Sequence, residues 1–261
     1  MVMKNDLVSL AEVASALADV SGAILRKYFR ASFDVEIKGD ESPVTIADRN
    51  AEAAIVQRIE KNFPEHGIIG EEFGAVREDA SHVWVLDPID GTQSFITGMP
   101  IFGTLIALLV EGIPKIGVID QPVIGERWLG ICGMGSTFNG NAVATKTFSA
   151  LSECYMYSTH PSMFDGPPDE VKFSRLSSAV RQTRFGGDCY AYGLLASGFV
   201  DLVVEAKMKP YDYMALVPVI EGAGGIVCDW TGKPLGIASD GHVLAAANIE
   251  TRDEALQYLN S

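Results

Sequence analysis

The segment Val83-Trp-Val-Leu-Asp87-Pro-Ile-Asp90-Gly-Thr92 constrains this chain more than any other stretch. Val83 to Leu86 form an apolar run, the pattern of a buried strand, and that strand delivers Asp87 at its end. Pro88 then fixes the backbone and Asp90-Gly91 turns it, so two carboxylates sit around one tight bend before Thr92 opens a short helix. Hard divalent cations take several oxygen ligands, and a helix N-terminus favours anions. A carboxylate-rich turn at such a position therefore suits a metal and a phosphate together. Alone, the segment is equally well an ordinary Pro/Asp/Gly turn of an α/β protein. Further acidic residues, first of all Glu71 and Glu72 after Gly70, favour a site.

Charge narrows the class. The 261 residues carry 34 acidic against 20 basic side chains, a formal net charge of −14. Nucleic-acid binding calls for basic patches, so no nucleic-acid partner is expected. An acidic protein that handles phosphate must import positive charge, and metal ions are the obvious source. Cys132, Cys154, Cys189 and Cys228 are far apart and form no C-x-x-C pair, which predicts reduced thiols in a cytoplasmic protein, neither a disulfide frame nor a zinc site. His66, His82, His160 and His242 show no zinc-ligand spacing. Asp6, Glu12 and Asp19 interrupt the apolar N-terminus, and no run approaches the roughly 20 apolar residues of a membrane span, so no membrane partner is expected.

Periodicity predicts a long amphipathic helix from Leu7 to Phe29, a short strand Asp34–Lys38, a turn at 39–43, and a second helix from Thr45 to near Pro64. Thr45 with Asp48 resembles a capping box, a structural reading of Asp48 that needs no catalysis. Strands are expected at 66–70, 83–86, 102–110, 115–121 and 127–132. Beyond about residue 150 helices (168–180, 189–197, 214–222, 251–259) alternate with strands (153–158, 199–205, 225–229, 243–247). The predicted division lies near Ala150. An N-terminal α+β half, 1–150, carries most of the acidic site, and a closely packed C-terminal α/β half, 151–261, completes it.

In this second half stand Gly187-Asp188-Cys189-Tyr190, Glu205 and Tyr211-Asp212-Tyr213-Met214-Ala215. With Lys38 and Asp40, Ser42-Pro-Val-Thr-x-Ala-Asp48, Gly70-Glu-Glu72, Asp87 to Thr92 and Phe138-Asn-Gly140, the pattern resembles the inositol monophosphatase family of metal-dependent, lithium-sensitive phosphatases along nearly the whole chain. The resemblance implies a layered α-β-α-β-α sandwich, a small phosphorylated metabolite as substrate, and a homodimer. It implies two or three Mg²⁺ ions, with Mn²⁺ a possible substitute. Glu71, Asp87 and the carbonyl of Ile89 would hold the first ion, and Asp87, Asp90 and Asp212 the second. Thr92 would pair with Asp48 and, with Glu71, orient a metal-activated water for in-line attack on phosphorus. The N–H groups of Gly91 and Thr92 would receive the phosphate.

The motif around Gly187-Asp188-Cys189 resembles the histidinol-phosphate phosphatase branch; Tyr211-Asp212-Tyr213-Met214-Ala215 likewise departs from the commoner Trp-Asp-x-Ala-Ala or -Gly. Inositol is a neutral polyol, whereas histidinol phosphate carries an ammonium and an imidazole. Asp188 with Glu205 complements that cation, alongside Gly187, Cys189 and Asp212 in the substrate pocket. The plainer reading of Asp188 is an N-cap of the helix that begins at Cys189, and that of Asp212 a cap of the helix through Met214. Inositol 1-phosphate is the next substrate reading, followed by fructose 1,6-bisphosphate and 3′-phosphoadenosine phosphate. A non-enzymatic metal-binding scaffold is the remaining alternative.

Overall fold

Apolar residues at helical spacing build α1 (Lys4–Tyr28), which buries Leu7, Ala11, Ala14, Leu17 and Ala18 and exposes Asp6, Glu12 and Asp19. The computed structural model describes residues 4–31, 35–37, 43–147 and 150–261. A two-stranded antiparallel ribbon, β1 (Val35–Ile37) and β2 (Pro43–Thr45), leads into α2 (Ile46–Asn62). Then come β3 (Gly67–Gly70), β4 (Gly74–Val76), β5 (His82–Asp90), the short α3 (Thr92–Thr97), β6 (Gly103–Val110), β7 (Ile113–Gln121), β8 (Glu126–Ile131), β9 (Gly135–Phe138) and β10 (Asn141–Ala142). The remainder is β11 (Tyr155–Ser158), α4 (Asp169–Ala179), β12 (Gln182–Phe185), α5 (Asp188–Ala196), β13 (Leu202–Glu205), α6 (Pro210–Tyr213), α7 (Leu216–Gly222), β14 (Ile226–Cys228), β15 (Val243–Ala246) and α8 (Ile249–Leu259).

The first sheet has eight strands in the order β10-β9-β8-β7-β6-β5-β3-β4, antiparallel except for the β3–β5 pair. The second has five, β12-β11-β13-β15-β14, with β11 parallel to both β12 and β13. Both sheets are covered on two faces, so their central strands read as continuous apolar runs. Along β5, Trp84 and Leu86 face α1 and α2, while Val83 and Val85 face α5 and α7. Along β13, Val203 joins that middle layer, while Leu202 and Val204 meet Phe173 and Leu176 of α4 and Leu259 of α8. The layers are thus α1/α2, large sheet, α5–α7, small sheet, α4/α8. This is the expected α-β-α-β-α sandwich.

Three expectations are corrected. The strand predicted to end at Leu86 runs on to Asp90, and its pairing with β6 slips between Asp87 and Asp90. Pro88 lacks an N–H and fits such an irregularity, where no ladder bond is demanded. β4, β9, β10 and β12 are further strands, short and partly exposed, so their apolar signal is weak. Finally, α1 is long and apolar enough, by length and composition only, to cross a membrane. Here its apolar stripe lies against the large sheet.

Candidate functional site

Acidic groups converge where β3 and β5 end. One carboxylate oxygen each from Asp48, Glu71 and Asp87 lies within 4.8 Å of the others, and the same holds for Asp87, Asp90 and Asp212. Asp87 belongs to both groups. The elements that achieve this are α2, which buries Asp48 in its first turn, the turn after β3, which carries Glu71, and the irregular end of β5. Asp212 arrives from the C-terminal part of the chain on α6, where its Oδ2 accepts the Lys209 N–H at 2.6 Å. Asp212 is thus the third residue of its helix, folded back onto the cap, and not the cap itself.

Burial and crowding oppose ionisation here. Asp87 is 2 % exposed and held well above the usual carboxylate range, first by burial and then by Glu71, Asp90, Asp212 and Asp48. Asp90 is raised by burial and by Asp188 and Asp212, against the Cys189 N–H that donates to its Oδ2 at 2.6 Å. Asp212 is raised to about 7, mainly by burial. Oδ1 of Asp87 is buried without a hydrogen-bond partner, and a buried acceptor left unmatched is costly. Hard oxygen donors in two groups joined by one carboxylate fit divalent cations, so a metal matches the residues present.

Gly91 has φ +83° and caps α3, a conformation that glycine adopts without strain. A Cβ there would lie 2.6 Å from Oδ2 of Asp188, so Gly91 also gives that carboxylate its place. The hydroxyl of Thr92 donates to the Ile89 carbonyl at 3.2 Å. That corrects the expected Thr92–Asp48 pair: Thr92 starts the helix after a left-handed turn, and the carbonyl three residues back lies within its reach. Asp48 instead groups with Glu71 and Asp87. Ile89 is buried against Phe95 and Phe102, which fixes the floor beneath the turn.

Asp188 is the first residue of α5; Gly187 is its cap, and no side chain caps that helix. The capping reading of Asp188 therefore fails. Its carboxylate accepts the Ser94 hydroxyl of α3 at 2.5 Å, and burial raises its pKa. Glu205, 3 % exposed at the end of β13, accepts the Thr159 N–H at 2.9 Å, the Thr159 hydroxyl at 2.5 Å and the Tyr192 hydroxyl at 2.8 Å. Burial lifts it to about 7. The Cys189 thiol is pushed well above its usual range by burial, then by Asp90 and more weakly by Asp188, which leaves it a poor nucleophile.

Lys38, Asp40 and Ser42, and the side chain of Thr45, lie outside the described residues, and with them the Thr45–Asp48 capping box. Sequence reasoning missed Ser94, Thr159 and Tyr192, whose contacts are formed across the fold. It also missed Glu52, which accepts the N–H groups of Glu72 and Phe73. The Asp48-x-x-x-Glu52 spacing, one helical turn, was a usable signal.

The sequence profile of the inositol monophosphatase family matches residues 6–260. The chain is 51 % identical to the bifunctional phosphatase IMPL2, chloroplastic, of Arabidopsis thaliana, over 98 % of this chain and 76 % of that protein. It is 39 % identical to the histidinol-phosphatase of Chlorobaculum parvum, over 91 % of each. Among solved structures, an inositol monophosphatase from Zymomonas mobilis superposes with a TM-score of 0.89 at 45 % identity, covering 97 % of this chain and 98 % of that one.

Proposed function

Because this chain belongs to the inositol monophosphatase family, a family of phosphatases, we propose that it is a Mg²⁺-dependent phosphomonoesterase that converts histidinol phosphate to histidinol in histidine biosynthesis. The observation that carries this reading is Asp87, shared by two carboxylate groups with one buried oxygen unmatched. Glu71, Asp87, Asp48 and the Ile89 carbonyl would hold one ion, and Asp87, Asp90 and Asp212 another. Bound there, Mg²⁺ supplies charge neutralisation for the phosphoryl group and acidifies the attacking water.

The chain's own residues do the rest. Gly91 and Thr92 present main-chain N–H groups at the start of α3 to the phosphate oxygens. Glu71 and Thr92 orient the water, and the Thr92 hydroxyl is itself held by Ile89. Asp188, beside Gly91, faces the alcohol part of the substrate and pairs with its ammonium or imidazolium, with Gly187 and Cys189 shaping the same wall. Glu205 lies behind it, its carboxyl group bonded to Thr159 and Tyr192. The names of the Arabidopsis and Chlorobaculum relatives support a phosphatase of this kind. We place the enzyme in the cytoplasm as a homodimer, a reading supported by free cysteines and by family resemblance.

Phosphate release from histidinol phosphate, inositol 1-phosphate, fructose 1,6-bisphosphate and 3′-phosphoadenosine phosphate tests the reading. Histidinol phosphate should give the highest kcat/KM. A preference for inositol 1-phosphate overturns the substrate, and no Mg²⁺-dependent hydrolysis of any of them overturns the reaction.

A further inference from the structure

We propose that Glu52 is the positioning residue for Glu71, setting the metal affinity of the site without touching the ion. The proposal rests on the metal reading above. α2 carries Asp48 and Glu52 one turn apart on its buried face, and Glu52 is fully buried. Asp48 points into the acidic group with Glu71 and Asp87. Glu52 reaches instead to the backbone beyond Glu71: its Oε2 accepts the Glu72 N–H at 2.9 Å, and its Oε1 the Phe73 N–H at 3.0 Å.

Gly70 makes that reach possible. A Cβ at Gly70 would lie 1.9 Å from Oε1 of Glu52, so the carboxylate lies directly over the backbone just before Glu71. On the other side, the Glu71 N–H donates to the Leu86 carbonyl of β5 at 3.3 Å. Glu71 is therefore held from both directions, by the strand that carries Asp87 and by the helix that carries Asp48. The ladder bond to Leu86 is comparatively long, and two charge-assisted bonds from one carboxylate are the stronger restraint on this turn. The same helix thus supplies one member of the acidic group and fixes the aim of another, which is how partners of a ligand tune a metal site.

The test uses the full-length, metal-free protein and titrates Mg²⁺ calorimetrically in the absence of substrate. Glu52→Gln keeps the shape, but its amide –NH₂ faces one of the two backbone donors, so the grip is halved. Mg²⁺ should bind the variant about 10- to 100-fold more weakly. Activity should return when Mg²⁺ is raised to saturation, because no reacting group is removed. A purely structural role would lower the melting temperature in chelator and leave the Mg²⁺ Kd at the parent's value; that result overturns the proposal. If Glu52→Gln does not fold, Glu52→Asp, one methylene shorter with its charge retained, answers the same question: weakened Mg²⁺ binding supports the proposal, and the parent's Kd overturns it. Glu71→Gln serves as control. If the parent binds no Mg²⁺, or Glu71→Gln binds as the parent does, the metal reading itself fails. If Glu71→Gln loses the ion while the Glu52 variant keeps the parent's Kd, only the role of Glu52 fails.

Discussion

The main-chain N–H of Cys189 donates to Oδ2 of Asp90 at 2.6 Å, joining the first turn of α5 to the end of β5 across 99 positions of sequence. Through this bond the C-terminal part of the chain orients a carboxylate that belongs to the N-terminal sheet. It also partly offsets the burial that opposes the charge on Asp90.

Asp90→Asn keeps an oxygen for the Cys189 N–H and removes an anionic donor. Mg²⁺ affinity should fall about 10- to 100-fold while the fold persists. Calorimetric titration alongside a circular-dichroism melt checks both parts, and unchanged affinity would remove Asp90 from the ligand set.

Chelation should abolish phosphate release, and Mg²⁺ should restore it, because crowded buried carboxylates repel one another without cations. The melting temperature at neutral pH should rise on adding Mg²⁺ to chelated protein. Full turnover in excess chelator would contradict the site.

Thr92→Ala removes the hydroxyl that bonds Ile89 and, in the proposed reaction, orients water. Turnover should drop about 10²-fold or more with Mg²⁺ affinity nearly intact. Single-turnover rates at saturating Mg²⁺ decide it; parent-like rates would assign Thr92 to the turn alone.

Asp188→Asn retains an acceptor for the Ser94 hydroxyl and loses only charge. A charge-assisted contact is worth roughly 1.5–3 kcal/mol, so kcat/KM for histidinol phosphate should fall about ten- to hundredfold. A neutral substrate such as inositol 1-phosphate should be affected far less. Equal losses for both would make Asp188 a general organiser of the α3–α5 junction.

Glu205→Gln tests the pH dependence of stability. In the folded protein burial lifts the Glu205 carboxyl to about 7, against 4.5 for the exposed side chain. The native state therefore holds its proton where the unfolded chain has lost it, and stability falls as pH rises from about 4.5 to about 7. The loss amounts to roughly 3 kcal/mol. Glutamine keeps an oxygen for Thr159 and can donate to the Tyr192 hydroxyl, so the variant should melt higher than the parent at pH 8 and show a flatter profile between pH 4.5 and 7. Denaturant melts at several pH values in chelator measure this, and an unchanged slope would show that Glu205 is ionised in the native state throughout.

The sequence by itself determined the buried strands and the carboxylate-rich turn, and through its family resemblance it implied the layers and the full acidic set. Runs such as Val83 to Leu86 are apolar on both faces because each strand is covered twice, and that pattern is local. Gly91 announced its left-handed turn in the same local way. Only the tertiary structure decided which oxygen each polar group meets. Thr92 turned to Ile89 and not to Asp48, Asp188 found Ser94 and did not cap its helix, and Glu205 found Thr159 and Tyr192. Hydrophobic period repeats along a chain and can be read from it, whereas a hydrogen bond depends on a few tenths of an ångström between groups that only folding brings together.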